Sequence, residues 1–165
     1  MTTINIVRST RVIPAASAAV FDLLANPAEH SRIDGSGSVR GAQSATPQRL
    51  TLGARFGMQM RIGAPYKIVN EVVEFEEGRR IAWRHFGGHI WRYLLVPVGG
   101  NATEVTEEFD PTHSRSPLVL RLMRAGTRNQ RAIVQTLQRL DDWAQARSSS
   151  DQELGTDGGR SVHLE

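Results

Sequence analysis

The sequence predicts an α+β fold: a curved antiparallel sheet of about seven strands wrapped around one long C-terminal helix, with two short helices after the first strand. Three observations carry this. Residues 54 to 110 are almost all strand-like, broken by Gly and Pro at 63–65, 78, 87–88 and 99–100, which is the pattern of consecutive hairpins. Beyond Pro117, apolar residues recur at helical spacing as far as about Arg147, opposite a stripe of arginines. Helix start and stop signals fall between Ser17 and His30.

Taken in order, residues 3–13 are rich in β-branched side chains and form a first strand that Pro14 closes. Ser17 is the expected N-cap of a helix whose apolar face is Val20, Phe21 and Leu24. Asn26 and Pro27 stop it, and Pro27 opens a second short helix through His30. The stretch DGSGSVRG is a flexible turn before a strand beginning near Val39. Its glycine spacing is wrong for a dinucleotide-binding loop, and a strand rather than a helix follows.

Side chains alternate along a strand, so loop lengths decide which residues share a face. Phe56, Met58, Met60 and Ile62 define an inner face. A three-residue loop 63–65 carries it to Ile68, Asn70, Val72 and Glu74, and a two-residue turn at Glu77 and Gly78 carries it to Ile81, Trp83 and His85. The next hairpin admits two registers. A loop Phe86–Gly88 with a left-handed Gly88 places His89, Trp91, Tyr93 and Leu95 inside, whereas a Gly-Gly turn sends Arg92 inward. The first buries two aromatics instead of a guanidinium and is preferred. A loop 99–101 then turns Val105, Glu107 and Phe109 inward, setting Trp91 opposite Phe109, Tyr93 opposite Glu107, and Asn70 opposite His85.

In the last helix Val119, Leu122, Met123, Ile133, Leu137, Leu140 and Ala144 lie on one side. Arg121, Arg124, Arg128, Arg131 and Arg139 lie on the other. Gly126 and Gln130 interrupt the apolar stripe: they mark either a bend that leaves ligand space or a tolerated irregularity. The domain is expected to span residues 1–147, with 148–165 a disordered tail of low apolar content.

Composition excludes several functions. The 165 residues can bury roughly 70% of the surface the unfolded chain exposes, so a core needs no disulfide. There is no cysteine, which removes thiol chemistry and cysteine-ligated zinc and suits a reducing cytoplasm. The N-terminal MTTINIVRSTRV lacks the apolar stretch of a signal peptide, and no run approaches the ~20 apolar residues of a membrane helix, so membrane insertion is not expected. The net charge is only +3. The pI of 10.1 reflects arginine, since Lys67 is the one lysine. Those arginines are interspersed with acids rather than clustered with aromatics, which argues against nucleic acid. No feature of the sequence fixes an oligomeric state.

The segments VFDLLANPAEHSRID, VVEFEEGRRIAWRH and WRYLLVPVGGNATEVTEEFD, followed by the arginine-striped helix, resemble the SRPBCC superfamily over about residues 4–147. The likeness is to its polyketide cyclase/dehydrase-like branch, akin to START-type lipid-binding domains. The resemblance implies a helix-grip fold and a cavity between sheet and helix. Many relatives carry a tryptophan shortly after the second helix; here that region reads Ile33-Asp34.

The inner face supplies the candidate site. Glu107 with Tyr93 is the sharpest pair: a carboxylate on an apolar wall has a raised pKa and can exchange protons, and a tyrosine hydroxyl can polarise a carbonyl. The same pair can equally be a structural hydrogen bond. His85 is the third catalytic candidate, and His85 with His89 stands at a hairpin end where the pocket mouth is expected. The expected ligand-binding residues are Phe56, Met58, Met60, Asn70, Val72, Trp83, His89, Trp91, Val105 and Phe109 from the sheet, and Met123, Gly126, Gln130 and Ile133 from the helix. The histidine spacing fits no metal site and no cofactor is expected. Binding of a small hydrophobic or amphipathic molecule (a polyketide, lipid or aromatic metabolite) is the leading expectation. A cyclase/aromatase enzyme is the alternative, and an interaction or regulatory module a third.

Overall fold

The computed structural model describes residues 5–122 and 124–156. Its elements are β1 (Val7–Ile13), α1 (Ser17–Leu24), a 3-10 turn (Pro27–Glu29), α2 (His30–Ile33), β2 (Val39–Ala42), β3 (Arg55–Ile62), β4 (Ala64–Glu76), β5 (Arg80–His85), β6 (Ile90–Gly99), β7 (Ala102–Asp110), α3 (Pro117–Leu122) and α4 (Ala125–Thr156). The strands make one antiparallel sheet in the order β1-β7-β6-β5-β4-β3-β2, and α4 crosses its inner face, chiefly against β1. This is the α+β helix-grip architecture the sequence predicts.

Local chemistry sets the early elements. α1 is capped by Ala16, not Ser17; the Ser17 hydroxyl donates instead to the Gly78 carbonyl, tying α1 to the β4–β5 turn. Asn26 does cap, accepting from the Ala28 N–H at 3.1 Å before Pro27 opens the 3-10 turn. Val20, Phe21 and Leu24 are buried against Ile13, Leu50, Ile81 and Leu140 in the main core, each full burial contributing about 1.5–3 kcal/mol.

The hairpins reach the expected inner face by different loops. Gly63 alone turns β3 into β4, with φ +70 and Ile62 opposite Ala64, so the register differs by two from a three-residue loop and the faces are unchanged. Between β4 and β5 the turn is a residue longer than expected, with Glu76 opposite Arg80, and a bulge sits between Val72 and Glu74. The two changes cancel at the far end, where Asn70 still faces His85. Between them they turn Phe75 inward onto Phe21, at 5.3 Å between ring centroids, and Glu74 outward, correcting its expected inner position. The β5–β6 hairpin has the preferred register, with Gly88 at φ +94 and Trp83 opposite Trp91. Gly100 and Asn101, both at positive φ, make the last turn, with an irregularity between Pro97 and Gly99.

Arg92 therefore lies on the outer face, where its guanidinium bonds Glu74 at 2.7 to 3.1 Å and Glu108 at 3.0 Å. Arg80 and Arg8 extend this network to Glu74 and Glu108.

The C-terminal helix is not continuous. Arg124 has φ +51, a left-handed conformation costing about 1–2 kcal/mol, and it separates α3 from α4. The break falls before Gly126 and reorients α3: Val119 is half exposed and Leu122 is 83% exposed, against the expected apolar stripe, and Leu120 packs against the core instead. Met123 lies outside the described residues. Ile133, Leu137, Leu140 and Ala144 are buried as expected. α4 continues past Arg147 to Thr156, its Ser148, Ser149 and Ser150 hydroxyls bonding the carbonyls four residues back. Residues 157–165 of the expected tail lie outside the described residues.

Two contacts set where α4 lies. Gln130 donates to Ser9 at 2.7 Å, and Arg11 pairs with Asp141 at 2.5 Å, so α4 is fixed along β1. On its other side Gly35 donates to Thr136 Oγ1 at 3.0 Å, so close that a Cβ there would meet the Ala132 carbonyl at 2.2 Å and the Thr136 nitrogen at 2.4 Å. Gly35→Ala is therefore expected to cost about 1–3 kcal/mol by overpacking. Urea denaturation checks this, and an unchanged midpoint would mean the loop stands off the helix.

Candidate functional site

Because α4 follows β1, it leaves the β2–β5 half of the concave face uncovered. There a cavity of about 1020 Å³ opens between the sheet, α2 and the start of α4. Met58, Met60, Asn70, Trp83, Trp91 and Phe109 reach it from the strands, as expected, together with Tyr93, Glu107, His85 and His89. Phe56, Val72, Val105 and Ile133 do not line it: they are packed in the core. Gly126 and Gln130 do not line it either, since Gln130 is engaged with Ser9 and the helix break lies earlier.

Trp83 stands at the centre of an aromatic group, stacked on His30 at 4.9 Å and in edge contact with Phe56 at 5.7 Å. Tyr93 is tilted against its other side at 5.5 Å. Deeper in the wall, Tyr93 donates to Glu107 Oε1 at 2.8 Å. Glu107 Oε2 is buried with no partner. The Thr136 hydroxyl, which with Tyr93 holds the Glu107 pKa down against burial, is itself engaged, donating to the Ala132 carbonyl and accepting from Gly35. Burial pushes the Glu107 carboxyl up to about 8, with Asp34 adding repulsion against the Tyr93 bond that opposes it. The group is a neutral acid at pH 7. Tyr93 is raised as well, by burial and then by Glu107.

His85 and His89 stack at 4.3 Å, and burial lowers each to about 4, His85 adding to the shift on His89. His85 Nδ1 accepts from the Gly87 N–H at 3.0 Å, so both rings are neutral at pH 7 and Nε2 carries the His85 proton. A smaller pocket of about 530 Å³ shares His85, but Arg55, Glu71, Arg84, His113 and Arg115 make it polar, and Arg84 is paired with Glu71 at 3.4 Å.

His30 is the residue that sequence reasoning missed. Its Nε2 is 2.8 Å from the Leu24 carbonyl and donates there, burial lowers its pKa, and Nδ1 is left as an acceptor on the cavity side. The available signal was a histidine three residues before Ile33, on the same face of a short helix. Asp34, Tyr66, Arg128 and Thr136 also line the cavity and were not singled out. Among the described residues no three His, Asp or Glu side chains gather as metal ligands. No helix among them is long and apolar enough to cross a membrane.

An antiparallel sheet gripping a C-terminal helix beside a large internal cavity defines the helix-grip class. Residues 6–145 match the family described as polyketide cyclase / dehydrase and lipid transport, and the chain belongs to that family, a branch of the SRPBCC superfamily. It is 35% identical over 99 residues to the uncharacterized protein Rv0088 of Mycobacterium tuberculosis, covering 59% of this chain and 44% of that one. The chain thus spans less than half the length of that curated relative. In fold it is similar to protein NE0264 from Nitrosomonas europaea, with TM-score 0.67 and 13% identity over 87% of this chain and 96% of the other. It is also similar to the di-domain ARO/CYC BexL of the BE-7585A biosynthetic pathway, with TM-score 0.62 and 12% identity over 84% of this chain and 47% of that one.

The carboxyl state has a measurable consequence. A folded pKa of about 8 against an ordinary 4.5 means that the native state holds a proton the unfolded chain has lost, so stability falls as pH rises from about 4.5 and levels above about 8. The lowered histidines act oppositely, costing stability as pH falls from about 6.5 to about 4. Denaturation midpoints across this range should show the upper slope in the wild type and lose it in Glu107→Gln. A slope unchanged in the variant would assign it to another group.

Proposed function

We propose that this protein binds a small hydrophobic or amphipathic molecule, such as a polyketide, a lipid or an aromatic metabolite, in the cavity between the sheet and α4. One observation carries the reading: Glu107 presents a buried, unpartnered oxygen in the wall of an aromatic-rich cavity. Leaving such an oxygen unmatched costs about 1–3 kcal/mol, a penalty that an incoming carbonyl or hydroxyl relieves. Trp83, Trp91 and Phe109 supply the apolar contact, and Asn70 and His30 add polar groups that set orientation. The family's association with lipid transport agrees with this reading.

Prodan, a neutral naphthyl ketone, is a suitable probe. Its affinity should weaken by up to about tenfold, about 1.4 kcal/mol, between about pH 7 and pH 9, as the Glu107 proton that its carbonyl accepts is lost. Glu107→Gln keeps an N–H donor and should bind with no such dependence. If fluorescence titration shows the same pH profile in both, Glu107 does not contact the ligand. Native mass spectrometry of the purified protein tests directly for a retained small molecule.

A second reading, a cyclase-type enzyme, is favoured by the separation of pKa values in one wall. Glu107 is a neutral acid and His89 a neutral base at pH 7. Tyr93 has its proton engaged by Glu107, so it orients that carboxyl. Glu107 would donate to a substrate carbonyl while His89 removes a proton from the adjacent carbon, since the Nδ1 lone pair of His85 is held by the Gly87 N–H. On this reading Glu107→Gln lowers turnover of a poly-β-ketone about 100-fold with little change in its binding. Equal loss of binding and turnover would return the residue to a purely binding role.

A further inference from the structure

The mouth of the cavity differs from its interior. Arg61 at the end of β3, Arg124 at the helix break, and Arg128 and Arg131 on the first turns of α4 all line the opening. Arg128 and Arg131 are three residues apart within α4, which places them on one side of the helix. None of the four has an acidic partner within 4.0 Å among the described residues, unlike Arg8, Arg80, Arg84 and Arg92 on the sheet.

The acids that face them are few. Asp34 is at the same opening, but its two oxygens already accept from the Ser36 N–H at 3.0 Å, the Ser36 hydroxyl at 2.9 Å and the Val39 N–H at 2.8 Å. The other is Glu107, deep in the wall. Tyr66 on β4 adds a hydroxyl close enough to Arg128 to feel its charge. Apolar walls behind a cationic rim concentrate field at the opening, where an anion is attracted and remains partly hydrated.

We propose, building on the ligand-binding reading above, that the occupant is an amphiphile with an oxyanion head, a carboxylate or a phosphate ester. Arg61, Arg124, Arg128 and Arg131 hold the head at the mouth, and the apolar body lies along Trp83, Trp91 and Phe109. A guanidinium fork matches either oxyanion, so the shared chemistry is a planar or tetrahedral set of acceptor oxygens. An uncharged hydrocarbon would leave the rim unused.

Decanoate, decyl phosphate and decanol share one chain length and differ in the head. Each is titrated against full-length protein loaded with the neutral fluorophore N-phenylnaphthylamine. At least one anion should displace the fluorophore at about tenfold lower concentration than decanol, an advantage that shrinks as salt is raised. The stronger of the two anions identifies the head as carboxylate or phosphate. The double variant Arg128→Gln/Arg131→Gln should lose most of this advantage while binding decanol and the fluorophore as the wild type does. Equal displacement by all three compounds, or an anion advantage that survives in the double variant, overturns the oxyanion proposal and leaves the ligand-binding reading standing. Failure of the fluorophore to bind at all removes both.

Discussion

The pleat of the β5–β6 hairpin is the constraint on which the rest of this structure depends. A strand cannot show two successive side chains to one face, so a one-residue change in the His85–His89 loop would exchange Trp91 and Tyr93 for Arg92. Gly88, at φ +94, allows the longer loop. A Cβ there would also meet the His113 carbonyl at 2.1 Å, so the segment leading to α3 is packed directly on this hairpin. With the register fixed, Arg92 meets Glu74 and Glu108 on the outer face, and Tyr93 meets Glu107 on the inner one. That swap would place a guanidinium in an aromatic wall, a cost of several kcal/mol, and leave Glu74 and Glu108 with only the more exposed Arg80 and Arg8.

The second determinant is that α4 covers only part of the face it crosses. Gln130 and Arg11 fix it along β1, and Gly35 admits the loop before β2 onto its other side. The break at Arg124 then redirects the chain, so that Val119 and Leu120 of α3 border the cavity. What remains beneath is a volume with aromatic walls that the protein's own side chains do not fill. Burial there keeps Glu107 protonated and the histidines neutral, so the interior carries almost no charge at pH 7 although it contains several titratable groups. The rim is charged because its arginines remain in contact with water.

Much of this was legible in the sequence, for identifiable reasons. Alternation from Phe56 to Phe109 and the choice of burying aromatics over Arg92 determine the inner face, and with it Tyr93 opposite Glu107. Glu74 was misplaced because a bulge carries no distinctive residue, and two one-residue errors in that hairpin offset each other, leaving Asn70 and His85 correctly paired. The cavity's lateral extent was not legible. Phe56 and Val105 have the same periodicity as Met58 and Trp91, and only the path of α4 separates core from lining. The break at Arg124 was hidden for a different reason: arginine is a good helix former, and the sequence drew attention to Gly126 instead. His30 was passed over because a lone histidine in a short helix has no spacing partner to flag it.

The arrangement also bears on why this wall suits both binding and proton transfer. A carboxyl near 8 and imidazoles near 4 lie on opposite sides of neutrality, so each is held in its uncharged form, the acid with a proton to give and the base with a lone pair to take one. For a binder, that combination permits hydrogen bonds to a ligand without bringing a net charge into an apolar cavity. For an enzyme, the same groups become a matched donor and acceptor once a substrate places a carbonyl at Glu107 and an acidic carbon toward His89. The difference therefore rests on the occupant's geometry rather than on any further residue of the chain. Tyr93 would serve either role in the same way, holding Oε1 and leaving Oε2 as the unpartnered oxygen of the pair.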